Sequence, residues 1–559
     1  MSSNLPPEGP QGPEYLEQGS GSPLGHEATP KAARGRKTVL IAAVAVVALL
    51  VGGGVWAWTA FVATGPQPAE ALPASTLGYA SIDLDPSGAQ KIEAVSMLRK
   101  FPAFKDRIGL DTDDDIRKKI FEEILQAGDC EGTDYADDIE PWIGARAAIA
   151  AVDTGKDVPA PVLVVQVTDE GLADEGLGKL QDCAATQDDA PSGGWAIDGE
   201  WAVIAESDTI AQGIVDDAAS SSLADDADYQ QWTGEVGDAG IVNLYAAPAA
   251  GQFLADNLGG MGLPFGAGSS GSCEASFDGP QTCTEESGTS YMVPSGTIDA
   301  LEDFQGMAAT IRFDNGAVEL EVAGDPGMGG KTLYDTDGGD DVLATLPDDT
   351  AAAFGGGFED GWFTAMVDQM AASSGGEMSA DELMSELANG SGLDLPDDAE
   401  TLAGESVALS LGSDFDPETL MNSSDGSEVP IGMKVKGDPD AIDAVLDKVR
   451  GRLGPGVGTF LETTSDGDMI AIGPNPDYRT QILEEGTLGD SSVFQDVVRE
   501  AERASAIFFV NFDAGDGWLA DLAGGDPTVE ENLEPLGGFG ISVWQEDEAA
   551  HALLRLTTD

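Results

Sequence analysis

From Thr38 to Ala63 the chain carries no charged residue, and beyond that run its apolar positions break into short alternating stretches and amphipathic segments. As a helix, the uncharged run would reach ~39 Å, enough to cross a hydrocarbon core of ~30 Å with some tilt. It is longer than the ~7–15 apolar residues of a secretory signal, so an uncleaved transmembrane helix over 38–63 is expected. Lys31, Arg34, Arg36 and Lys37 precede it, and the next basic residue is Lys91. The positive-inside rule then places 1–37 in the cytoplasm and everything after the linker 64–71 outside. Trp56 and Trp58 fall near the outer end, where aromatic rings favour the interface. Ala48 and Gly52, like Gly53 and Ala57, are four apart, a spacing that would let two such helices pair into a homo-oligomer.

Past the linker, period-two alternation marks strands. Ala145–Val152 and Pro161–Val167 read as antiparallel neighbours, and Trp195–Asp198 with Glu200–Ala205 as a hairpin across Asp198-Gly199. Helical periodicity appears in Gln90–Phe101, where Ala94, Met97, Leu98 and Phe101 share a face, and Ser87 with Gln90 fits a capping box. A second helix is predicted over Asp114–Leu125, with Ile116, Ile120 and Ile124 on one stripe. Hairpins interspersed with helices predict an α+β class, an antiparallel sheet with helices on one face.

The pattern also repeats. Leu72-Pro73-Ala74-Ser75-Thr76 returns as Leu346-Pro347-Asp348-Asp349-Thr350, each followed by an apolar run. Asp198-Gly199 before Trp201–Ile204 is matched by Asp466-Gly467 before Met469–Ile472, and Phe253-Leu254-Ala255-Asp256 by Trp518-Leu519-Ala520-Asp521. Each half closes on two apolar runs joined by a polar turn: Ala308–Phe313 with Val318–Val322, and Phe539–Trp544 with Ala549–Leu556. The expectation is two tandem copies of one domain, 72–330 and 331–559, with a Gly/Ser-rich insert at about 259–303 in the first copy only.

Charge narrows the chemistry. Asp and Glu number 101 against 26 Lys and Arg, a net charge of −75. Glu8, Glu14, Glu17 and Glu27 cancel the four bases before the apolar run, so the whole excess lies after residue 63. Such a surface repels nucleic acid, which needs a basic face, and is also what adaptation to a salty medium would give. The two histidines are His26, in the tail, and His551, which reads as a surface residue of an edge strand. With so little histidine and no nucleophile elbow, P-loop, dinucleotide fingerprint or H-E-x-x-H, no catalytic residue and no cofactor is assigned.

No metal site is assigned either. Asp111–Asp115 precedes a helix, where acids cap free N–H groups, and Asp335, Asp337, Asp340 and Asp341 lack the EF-hand spacing. Cys130, Cys183, Cys273 and Cys283 all fall in the part expected outside the cell, where disulfides form. Three connectivities are open; Cys130–Cys183 with Cys273–Cys283 is preferred, because the second pair is close within the insert. One basic cluster stands out between Lys91 and Lys119. Within it Arg99, Lys100, Lys118 and Lys119 are the candidate contacts for an anionic lipid headgroup or phosphate-bearing polymer, against the alternative that they pair with the acidic body.

The opening of the first copy, Leu72-Pro73 with Thr76-Leu77-Gly78-Tyr79-Ala80-Ser81-Ile82-Asp83-Leu84-Asp85-Pro86, resembles bacterial single-pass membrane proteins with the domain of unknown function 3352. Leu98-Arg99-Lys100-Phe101-Pro102 and Trp142-Ile143-Gly144 share in that resemblance, while Ala353–Gly357 departs from it in the second copy. The resemblance implies a membrane-anchored envelope protein and supplies no catalytic residues. The expected function is therefore binding or scaffolding at the cell envelope. Its partners are the bilayer through the anchor and an envelope polymer or protein. The alternative is a carboxylate- or divalent-cation-dependent hydrolase acting outside the cytoplasm, which would need a deep acidic pocket.

Overall fold

A computed structural model describes residues 66–559 apart from 84–88, 103–115, 128–129, 131, 157, 186–192, 262–294, 329–335, 374–377, 417–418, 420–422, 424–425, 454–457, 516–526 and 548. Its strands are β1 (Thr76–Asp83), β2 (Ile143–Val152), β3 (Ala160–Val167), β4 (Gly194–Asp198), β5 (Trp201–Ala205), β6 (Val242–Ala246), β7 (Met307–Asp314) and β8 (Ala317–Gly324). The second half supplies β9 (Ala352–Gly357), β10 (Ser406–Leu411), β11 (Ile431–Lys436), β12 (Thr463–Asp466), β13 (Met469–Ile472), β14 (Ala506–Asn511), β15 (Leu536–Glu546) and β16 (Ala549–Thr558).

All of them join one 16-stranded sheet, in the order β12-β13-β11-β10-β9-β14-β15-β16-β8-β7-β6-β1-β2-β3-β5-β4. Every pairing is antiparallel. Counted outward from the middle, each half runs in the same sequence: eighth, seventh, sixth, first, second, third, fifth, fourth strand.

This corrects the expected architecture of two separate tandem domains. The halves share a sheet because β16 pairs with β8 from Ala550↔Gly324 to Thr557↔Ala317. Left apart, each half would end on a strand with a row of unpaired N–H and C=O groups; the pairing satisfies both rows at once. Among the described residues no helix is long and apolar enough to cross a membrane. The run 38–63 lies outside the described residues, as do the tail 1–37 and Ser87.

Helices cover both faces, not one. The cause is legible in β3, whose Val162 and Val164 enter one core while Val165 and Val167 enter another. A strand apolar on both sides needs cover on both sides. On the first face lie α4 (Asp208–Ser220) and α5 (Ala227–Glu235), which bring Ala211, Ile214 and Trp232 to Tyr79, Trp201 and Val203. On the second lie α1 (Ala89–Leu98), α2 (Ile116–Ala127) and α3 (Glu170–Ala185), where Met97 meets Phe313, and Ala173 and Leu177 meet Trp142. Two further helices, α6 (Pro248–Met261) and α7 (Ser295–Glu302), flank the undescribed part of the insert.

The second half has α8 (Trp362–Ser373), α9 (Ala380–Ser391), α10 (Asp397–Ala403), α11 (Pro439–Leu453), α12 (Pro476–Leu483), α13 (Ser492–Val497) and α14 (Pro527–Leu533). Its first face is closed by α12 and α13, with Ile482, Phe494 and Val497 packed on Ala408, Ile507 and Phe509. Its second face is closed in part by α11, through Ile442 and Leu446 on Val435 and Ile470. The β7–β8 turn is Asn315-Gly316 with φ of 50° and 79°, the left-handed pair that a two-residue hairpin demands.

Candidate functional site

The middle of the sheet is charged inside. Arg312 on β7, Glu319 on β8 and Arg555 on β16 stand directly opposite one another across three neighbouring strands. Arg555 is 2% exposed and Glu319 is 5% exposed, while Arg312 is partly buried, so an Arg–Glu–Arg row with a buried core lies at the junction of the halves. Glu319 accepts from both guanidinium groups. Arg555 also donates from Nε to the Asp496 carbonyl of α13 at 2.9 Å, and Arg312 to the Val236 carbonyl at 2.9 Å. Arg312 pairs with Glu321 as well, although burial pushes the Glu321 carboxyl above its ordinary range.

Beside this row lies His551, expected at the surface and found 4% exposed. The correction has the same origin as the sheet: β16 is an interior strand. His551 stacks on Trp544 with centroids 5.0 Å apart and planes 6° apart, and Arg503 covers the Trp544 ring at 4.4 Å. Neither imidazole nitrogen has a hydrogen-bond partner among the described residues. Glu235, from α5 of the other half, stands 3.8 Å from His551 Nε2; Glu546 and Glu500 also act on the ring and both hold Arg503.

Burial lowers the pKa of His551, and Glu235 only partly opposes this. The neutral ring is therefore the folded form. Because the unfolded chain takes up this proton first, stability falls as the pH drops below about 6.5 and keeps falling until the depressed folded value is passed. A His551→Phe variant, compared with the parent by thermal melting from pH 7.5 to 4.5, should lose less stability over that window. Parallel curves would show that His551 does not titrate on unfolding.

Two of the four expected contact residues, Lys100 and Lys118, have local partners. Lys100 Nζ donates to Thr558 Oγ1 at 2.9 Å and to the Thr558 and Asp559 carbonyls, fastening α1 to the end of β16. Lys118 sits 3.8 Å from Glu122 one helical turn on, and Arg117 donates to the Ile143 carbonyl at 3.2 Å. Arg99 and Lys100 follow α1, which packs with Ile241 and Phe313; Lys118 and Lys119 are on α2, which packs through Phe121 and Leu125 on Tyr135 and Trp142. Cys130 and Cys183 are joined by a disulfide with Cα atoms 5.4 Å apart, tying the segment after α2 to α3. Cys273, Cys283, Asp335 and Asp111–Asp115 lie outside the described residues. Among the described residues no group of three or more His, Cys, Asp or Glu could hold a metal ion.

An apolar groove was not foreseen. On the second face of the second half, α8, α9 and α10 stand over β10 and β11 and leave a groove of about 430 Å³. That falls within the ~300–1,000 Å³ of small-molecule sites. Trp362 and Phe363 form one wall, Leu387 and Leu402 the others, and Val407 and Met433 the floor. Local chemistry fixes the walls. Ser379 and Glu382 cap α9 reciprocally, and α9 ends on Gly392 at φ +69°, where a Cβ would meet the Arg452 guanidinium at 2.0 Å. Lys448 of α11 donates to both oxygens of Asp398 at 2.8 and 2.7 Å, locking α10 in place. Burial pushes the Asp398 carboxyl up, but Lys448 and the Asp394 amide hold it below the usual carboxylate range.

The floor continues outward. Met433 faces Leu409, Leu409 faces Phe354, and Phe354 faces Phe508, each in direct register. Leu409, Phe354 and Phe508 are 46%, 44% and 38% exposed, so an apolar strip leads out of the groove across the sheet. The Trp362 indole N–H is buried with no hydrogen-bond partner among the described residues. Sequence reasoning missed the groove because apolar residues such as Trp362, Leu387, Val407 and Met433 look the same in a sequence whether they fill a core or line a groove.

The family model described as "Protein of unknown function (DUF3352)" matches residues 39–423, from within the uncharged run to just past β10. No curated protein and no solved structure matches the chain.

Proposed function

We propose a binding role from the premise that this chain belongs to the family of proteins of unknown function DUF3352. The chain acts as a binding or scaffolding protein of the cell envelope, held at the membrane by the run 38–63 with its acidic sheet outside the cytoplasm. The observation that carries the reading is the apolar groove at α8–α10 with its exposed strip, a surface suited to holding a partner. The Cys130–Cys183 bridge supports the compartment, since disulfides persist in oxidising surroundings. The net charge of −75 supports solubility in that space and repulsion of nucleic acid.

Two measurements test it. Protease added to intact cells should degrade the chain after residue 63 without lysis. A photo-crosslinking residue in place of Phe354 should capture an envelope component, whereas one in place of Val158, more exposed still and on the other half, should not. Full protease protection, or adducts only with cytosolic proteins, would remove the proposal.

A further inference from the structure

We infer that the end of the sheet where β1 finishes and β2 begins rests on the anionic headgroup layer of the membrane, with Arg99, Lys118 and Lys119 toward the lipid phosphates. The inference rests on the membrane anchorage proposed above and names a surface apart from the groove. Its first support is how little chain separates the uncharged run from the folded sheet. The run ends at Ala63, and the Pro66 carbonyl already accepts from the Arg146 guanidinium. Arg146 is buried 3.5 Å from Asp83, also buried, so the fastening point belongs to the core. Ala69 and Leu72, just beyond, have no exposed surface. From Ala63 to Pro66 is three residue steps, at most ~10 Å fully extended. That bound is comparable to the ~5–7 Å depth of one headgroup layer.

The second support is register. Asp83 stands opposite Arg146, and the level of Ile82 runs through Val242, Ile311 and Leu320 to Leu554. Pro66 and Thr558 therefore lie at one end of the sheet. Lys100, just past α1, reaches Thr558, while Arg117 in the first turn of α2 donates to the Ile143 and Gly144 carbonyls at the start of β2. These bonds bring Arg99, Lys118 and Lys119 to the end at which the chain arrives. Lys100 spends its donors on Thr558 and Asp559, so it fastens α1 and is left out of the contact.

Charge then selects which half makes contact. At the same end the second half exposes Asp349, Asp414, Asp513 and Asp559, which an anionic leaflet repels. Exposed acids also stand near the cations, Glu122 and Asp238 among them, so the patch is mixed. The Lys118–Glu122 pair is long and exposed, and a pair of that kind contributes little. A patch so mixed does not need to hold a free vesicle. The short tether keeps it at the lipid, where modest charge pairs suffice.

The test places the full chain in nanodiscs and measures how a lipid with a nitroxide headgroup quenches a fluorescent amino acid at one site at a time. Asp238 and Glu140 report on the near end, Thr154 in the β2–β3 turn on the far end, and Asp216 on the helices of the first face; all four are exposed. β1 alone spans eight residues, ~26 Å, which separates near from far. With phosphatidylglycerol present, quenching at Asp238 and Glu140 should be at least threefold that at Thr154 and Asp216. A lysine at an anionic surface contributes ~1 kcal/mol, roughly fivefold in the ratio of docked to undocked chains. Replacing phosphatidylglycerol by phosphatidylcholine, or Lys118 and Lys119 by glutamine, should therefore cut near-end quenching at least twofold. Arg99→Gln, outside α2, should act in the same direction, so the outcome does not depend on α2 keeping its fold.

Equal quenching at all four sites, strongest quenching at Asp216, or near-end quenching indifferent to both the lipid exchange and the glutamine variants would overturn the inference. Polyphosphate bound through Lys118 and Lys119 by a chain whose quenching ignores phosphatidylglycerol would assign the surface to a polymer and overturn it as well. A chain that never enters the discs would remove the anchorage and the inference with it; one that enters them with a flat profile removes the inference alone.

Discussion

Glu319→Leu is expected to destabilise the chain by about 3–5 kcal/mol and to split its unfolding into two transitions. The substitution leaves Arg312 and Arg555 facing each other across β8, and Arg555 is 2% exposed. Arg312 keeps Glu321, but Arg555 is left with only the longer contact to Asp314 at 3.5 Å, and a buried charge stripped of its closest partner is far more costly than the net worth of the pair it came from. The location of the defect decides its character. β8 and β16 form the seam, so the halves would lose their mechanical coupling before either loses its own core. Replacing Arg312, Glu319 and Arg555 together by leucine should recover most of the loss, because well-packed apolar residues often match a buried ionic row. Urea titration followed by tryptophan fluorescence reads both effects. A Glu319→Leu chain that unfolds in one step within about 1 kcal/mol of the parent would show that the row does not hold the seam.

The seam also marks the limit of what the sequence discloses. The hairpins were legible because alternation is local. β4–β5, β7–β8 and β15–β16 follow from apolar residues two apart, with Asp198-Gly199 and Asn315-Gly316 at the turns. The helices α1 and α2 followed from their spacing within a residue or two of their observed starts. The pairing of β8 with β16 joins positions more than two hundred residues apart, and the same alternation serves an edge strand or an interior one. Arg312, Glu319 and Arg555 lie in strands that alternation alone leaves free to be edges, where charges guard against unwanted pairing. Their opposite signs on matching strands were the one available signal that they meet. His551 was misread for the same reason. The groove was illegible for another, since a sequence shows which residues are apolar but not where their packing leaves space.

The Cys130–Cys183 bridge gives the second large effect, and it bears on where the chain folds. The two residues are 53 apart in sequence, and the loop-closure entropy removed from the unfolded state corresponds to about 4 kcal/mol. Cys130 packs beside Phe121, Tyr135 and Trp142, in the cluster that α3 closes with Ala173 and Leu177. Losing the bridge should therefore loosen α2 and α3 on the second face of the first half. The second half, which has no cysteine, should be unaffected. Hydrogen exchange of the Cys130→Ser/Cys183→Ser chain should rise around 116–185 and stay unchanged at β9–β14. Reductant should lower the melting temperature of the parent and leave that of the double variant where it is. Both thiols found free in protein taken directly from cells would place folding in a reducing compartment and remove the chief physical support for a sheet outside the cytoplasm.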